Sequence, residues 1–272
     1  MSGLLGEAII PRVMLPRLMS LMLPLLCAAA TAQAQPRTGE AKAACEALVA
    51  ARDVPPFLAQ VVAGQADAFQ QFAGAVDAVL QGMDRLSAVP EPQQTASARL
   101  KRAADYLVAR QQVVVPARAA LNALRSQPLD LVAAIDKLAI EEQAGRSPAT
   151  RVSAVYELKA IAQRLSMSAT ALSMPGGLRP ENVFQLKKDA VNFRDLAAGL
   201  IEGDANLRLP RVRSAAARKL LEEIMEGFEP TRKSSETVFA SLRELAGVQA
   251  AEVDLLATLK IVEAALRPLC LD

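Results

Sequence analysis

The sequence contains no histidine and no tryptophan, and aromatic residues make up only 3% of its 272 residues. Without histidine there is no Ser-His-Asp or Cys-His pair, no histidine zinc site and no histidine-ligated haem. A Glu-x-x-His motif of the di-iron bundle kind, a glycine-rich phosphate loop and a CxxCH haem sequence are absent too. The expectation is a protein that is not an enzyme, with no cofactor and no metal. Few aromatics also argue against a β-sandwich, whose strands favour β-branched and aromatic residues. An excess of one charge is lacking as well. Lys and Arg number 31, Asp and Glu 29, and the two signs are interspersed. Neither a nucleic-acid groove nor a polybasic membrane tail is indicated.

Apolar residues reach 52%, and the prevalence of Ala, Leu and Val suits close helix packing. The longest apolar run lies near the start. Arg12 and Arg17 lead into residues 18–30, and Ala32-Gln33-Ala34 reads as an A-x-A cleavage site. Residues 1–34 are therefore expected to be a signal peptide, which places the remainder in the periplasm or outside the cell. The run is short for a membrane span, which disfavours a retained anchor. Cys45 and Cys270 remain after such a leader. Two thiols in an oxidising compartment are expected to pair, within one chain or between two; the alternative is two small apolar core residues that never meet.

Downstream the pattern is helical. The first helix opens at Thr38-Gly39-Glu40 and is expected to stop at Asp53 and Pro55-Pro56. A helix over about residues 65–88 carries Phe69, Phe72, Val76 and Val79 at helical spacing. Thr95 can cap the next one, Pro116 should kink it and Pro128 should break it. Gly145-Arg146-Ser147-Pro148 reads as a joint in which Ser147 caps the following helix. That helix covers about residues 148–172. After Met174-Pro175-Gly176-Gly177, another runs to Gly203 with Val183, Leu186, Ala190, Phe193, Ala197 and Leu200 as its seam. A helix with a kink at Pro230 and a last one ended by Pro268 complete the chain.

The halves echo each other. FQQFAGAV at 69–76 aligns with FQLKKDAV at 184–191 at an offset of 115, and Pro116-x-Arg118 with Pro230-x-Arg232 at 114. The expectation is an all-α protein of tandem antiparallel four-helix-bundle modules with coiled-coil-like packing, over residues 36–146 and 147–272.

Within the second half, ELKAIAQRLSMSA (157–169), PENVFQLKKDAVNFRDLAAGLIEGDANL (180–207) and AARKLLEEIMEGFEPTRKSSETVFASL (216–242) carry a resemblance. They resemble the N-terminal domain of type IV pili methyl-accepting chemotaxis transducers, the periplasmic module of PilJ-like receptors. The shared features are the Gln-Arg-Leu step of the first helix and the Gly199-Leu200-Ile201-Glu202-Gly203 end of the second. Residues 36–146 read as a degenerate copy. The resemblance implies a periplasmic sensor or ligand-binding module that acts through a separate membrane receptor or an envelope or pilus-associated protein. It also implies a small anion or solute as ligand, with Gln163, Arg164 and Ser168 as candidate contacts, shared across a homodimer. The rival expectation is a structural or adaptor bundle with no small ligand. Met167 and Met174 are expected as gap fillers. Arg218 and Lys219 are expected to pair with Glu222 and Glu223 on a solvated face.

Overall fold

The computed structural model describes residues 38–86, 91–174 and 176–271. The expected leader lies outside them. Among the described residues there are nine helices: α1 (Thr38–Val62), α2 (Ala68–Asp84), α3 (Glu91–Val108), α4 (Gln111–Asp130), α5 (Val132–Ala144), α6 (Ala149–Ser173), α7 (Pro180–Glu202), α8 (Ala215–Ala240) and α9 (Leu242–Leu271). Extended pairing among them is limited to an isolated bridge between Asp204 and Leu209. The protein is all-α, and no described helix is long and apolar enough to cross a membrane.

Several expected interruptions do not occur where the prolines stand. α1 runs through Pro55 and Pro56. Val54 and Leu58 on either side are buried, whereas Pro55 is half-buried and Pro56 exposed. The carbonyl that loses its partner to Pro56, that of exposed Arg52, therefore faces solvent. α4 continues past Pro128 to Asp130, and α9 contains Pro268. The breaks between α3, α4 and α5 fall at 109–110 and at Leu131, and that between α8 and α9 at Ser241. α3 starts at Glu91, ahead of the expected cap at Thr95.

Other local signals fall as expected. Gly203 closes α7 at φ +88°, with its N–H donating to the Gly199 carbonyl at 2.9 Å. A Cβ at Gly177 would overlap the Ala171 carbonyl, so the turn between α6 and α7 needs glycine there. The i,i+4 pairs Arg218–Glu222 and Lys219–Glu223 form at 3.6 and 3.8 Å.

Two apolar cores result. The first is built from α1, α2, α3 and most of α9, with Phe69, Phe72, Leu100 and Leu259 at its centre. The second is built from α4 to α8, with Leu158, Leu165, Phe193 and Leu221. Phe193 and Phe228 stack there at 4.3 Å between ring centroids. Ownership changes hands inside two helices. In α4, Val114 belongs to the first core and Ala117 to the second; in α9, Leu245 belongs to the second and Val248 to the first. Neither core coincides with residues 36–146 or 147–272, since each draws on both stretches. The end-to-end columns α3–α4–α5 and α8–α9 pass from one core to the other, and residues 36–272 form one compact unit.

Near the handover, Arg118 of α4 packs under the turn after α1, where a Cβ on Gly64 would lie 2.6 Å from the Arg118 Cβ. Burial lowers the Arg118 pKa, and the charge of Glu252 on α9 acts against that shift. Burial likewise raises the Glu252 carboxyl, with Arg118 opposing.

Cys45 near the start of α1 and Cys270 near the end of α9 are joined by a disulfide, with Cα atoms 4.8 Å apart. The bridge is within one chain and fastens the first and last helices of the first core. Closing so long a loop is worth on the order of 5 kcal/mol in the chain-entropy model.

Candidate functional site

The helices α6 to α8 present two polar arrangements and, between α7 and α8, a cleft. The first arrangement holds the sequence-predicted residues. Gln163 is exposed, while Arg164 and Ser168, one turn apart on α6, are half-buried. Arg164 does not stand open. Its Nε donates to Asp189 Oδ1 on α7 at 3.2 Å and an Nη to Glu157 Oε1 at 3.0 Å. Burial works against its charge, but the bonds and charges of Glu157 and Asp189 outweigh this and raise its pKa. Asp189 is only 1% exposed, and its other oxygen accepts from Gln185 Nε2 at 2.7 Å. The guanidinium thus already has two carboxylate partners from its own chain. Ser166 turns instead to α4, donating to the Arg125 carbonyl at 2.5 Å. Met167 and Met174 are 70% and 59% exposed, so they fill no gap in the core.

Asp189 is the residue sequence reasoning missed. The buried positions of α7 step Leu186, Asp189, Phe193, Ala197, Leu200, so Asp189 sits on the seam beside half-buried Ala190. Strict alternation of three and four residues from Val183 leads to Ala190, and the buried positions depart from that alternation, so apolar periodicity alone names the neighbouring residue.

The second arrangement is a clasp at the far end of α5. Arg151, 7% exposed, donates from Nε to Glu142 Oε2 at 2.7 Å and from Nη1 to the Arg211 carbonyl at 2.8 Å, and its other Nη bonds Ser147. Ser147, expected to cap α6, serves this arginine instead, and Pro148 takes the N-cap position. Ser214 caps α8, accepting from the Ala217 N–H at 3.3 Å, and donates to Glu141 Oε1 at 2.8 Å. The clasp ties the α5–α6 loop to the α7–α8 connection, which is a structural role.

The cleft lies between α7 and α8 and encloses about 210 Å³. It is lined by apolar Phe228, Phe239, Ala190 and Val191, by the cations Lys187, Arg194 and Arg232, and by Glu236. Phe228 is the residue stacked on Phe193, and it is buried. Arg232 is oriented by Glu229 and Glu236, and its hydrogen bond to Glu229 is the main reason its pKa is raised. Among the described residues, Lys187 makes no ion pair and Arg194 pairs only with the neighbouring Asp195 at 2.9 Å. Aromatic side chains beside exposed and half-buried cations suit the carboxylate end of a small amphipathic molecule or side chain. Among the described residues, no group of three or more acidic or cysteine side chains is placed to hold a metal ion. No family model and no curated protein matches this chain.

Proposed function

We propose that the chain is an extracytoplasmic binding module of the PilJ-like sensory kind, which takes a small organic anion in the α7–α8 cleft and works through a separate membrane protein. The observation that carries this reading is the cleft itself. It combines the stacked Phe228, the half-buried Phe239 and the exposed Lys187 on the two helices that bear most of the resemblance. The Cys45–Cys270 bridge supports an oxidising compartment, where such a bond persists. Because Arg164 is engaged by Asp189 and Glu157, the ligand is assigned to the cleft and not to the Gln163, Arg164 and Ser168 face.

A thermal-shift screen of small organic carboxylates and inorganic anions tests this. A ligand present at a hundred times its Kd should raise the melting temperature of a chain this long by about 5–10 °C. The shift should vanish in Lys187→Ala/Arg194→Ala and persist in Gln163→Ala. No shift with any anion, together with no membrane partner captured by crosslinking, rules the reading out.

One observation favours a second reading, an adaptor bundle without a small ligand. The cleft lies between two helices and is partly open to solvent, which also admits an acidic or aromatic side chain from a partner helix. Under that reading, charge reversal at Lys187 and Arg194 weakens partner capture while no small molecule shifts the melting temperature.

A further inference from the structure

The clasp around Arg151 brings two connections to one end of the helices. They are the α5–α6 loop, residues 145–148, and the α7–α8 connection, residues 203–214. This pole carries Arg146, Arg208, Arg211 and Arg213, all exposed, and none of them makes an ion pair among the described residues. The acidic groups nearby are mostly occupied. Glu142 is bound to buried Arg151 and Glu141 to Ser214. Asp204 accepts from the N–H groups of Asn206 and Leu207 in its own loop, at 2.7 and 3.1 Å, which leaves Glu202 as the exposed carboxylate of this segment. Leu207, beside Arg208, is 51% exposed.

The backbone makes an independent point. Among the described residues, two non-glycine positions lie in the left-handed region, Arg146 at φ +49° and Arg208 at φ +52°. Both are at this pole. Glycine or asparagine would occupy either position with less strain. Arginine there adds nothing to the fold that the structure records, because each side chain is exposed and unpaired. Strain kept at an exposed cation points to a use for the cation outside the chain.

We infer that this pole is a docking face for an anionic phospholipid surface: the four arginines meet the headgroups, and Leu207 enters the boundary between headgroup and acyl chain. An exposed aliphatic side chain beside unpaired cations suits a lipid boundary. Nucleic acid is less well matched, because no aromatic residue stands in either loop to stack on a base.

Vesicle co-sedimentation of the full chain tests the assignment, since any contribution of residues 1–34 is common to every variant compared. Binding to phosphatidylglycerol vesicles should exceed binding to phosphatidylcholine vesicles by at least about tenfold and weaken with added salt. Each basic residue at such a surface contributes about fivefold, so Arg208→Glu/Arg211→Glu/Arg213→Glu should lose about a hundredfold. Arg146→Gly/Arg208→Gly should bind about twenty-five-fold more weakly yet melt at the same temperature or higher, which separates lost docking from lost folding. Equal binding to the two vesicle types, unchanged binding of the charge-reversal variant, or a lower melting temperature for the double glycine variant overturns the proposal. Retention on polyglutamate with no binding to vesicles also overturns it, in favour of an acidic protein.

Discussion

Asp189 and Glu142 are each only 1% exposed, and each meets an arginine of α6. Their situations differ. Arg164 reaches Asp189 from a half-exposed position, so water moderates that pair, whereas Arg151 is as buried as its partner. Removing one member of a buried pair leaves the other charge desolvated and unmatched. Arg151→Met should therefore destabilise by about 3–5 kcal/mol, and Glu142→Leu/Arg151→Met should recover most of the loss. Urea unfolding of both variants measures this, and a single variant within about 1 kcal/mol of the parent would contradict the clasp. Arg164 could be singled out from the sequence as a cation on an apolar helix. Asp189 could not be read as its partner, because FQLKKDAV presents three charges together and the spacing of the seam admits Ala190 or Asp189. The first half has neither residue. At an offset of 115, the positions of Arg164 and Asp189 fall on Val49 and Gly74, which cannot form such a link.

The helices themselves were legible from apolar spacing, glycine and loop residues, and Pro180 opens α7 as its position suggests, but where helices stop was not legible from proline. Sequence reasoning treats proline as a stop because it lacks a donor and crowds the carbonyl four residues back. α1 passes through two of them because Ala51, Val54, Leu58 and Val61 bury one face against α2 and α9 while Pro56 lies on the opposite face. Burial of that stripe outweighs a hydrogen bond lost to water. Pro56 should still carry a cost, since a helix-interior proline is about 3 kcal/mol worse than alanine. Pro56→Ala is expected to raise stability by about 1–3 kcal/mol, read as a higher urea midpoint with an unchanged slope. A lower midpoint would mean that the proline bend is part of how α1 fits α2. The cap of α6 was missed for a related reason. Ser147 has the residue type of an N-cap, but the clasp arginine claims its hydroxyl.

At the scale of the whole chain, the all-α class was legible, as was the pairing of Cys45 with Cys270, which the structure places within one chain. The distribution of the cores was not. Apolar periodicity says which face of a helix is buried and is silent about which helix covers it. The exchange inside α4, between Val114 and Ala117, and inside α9, between Leu245 and Val248, leaves no mark on either helix's pattern. The consequence bears on function. A change at the α7–α8 cleft acts on the second core, and α8 continues end to end into α9, which belongs mostly to the first core and carries the disulfide. The central claim is that recognition occurs in that cleft. Its most direct test is an amide chemical-shift map of the protein titrated with benzoate, the simplest molecule that joins an aromatic ring to a carboxylate. The account predicts saturable shifts clustered on Val191, Arg194, Ser235 and Phe239, and their loss in Lys187→Ala/Arg194→Ala. Shifts centred on Gln163, Arg164 and Ser168, or none that saturate, would contradict it.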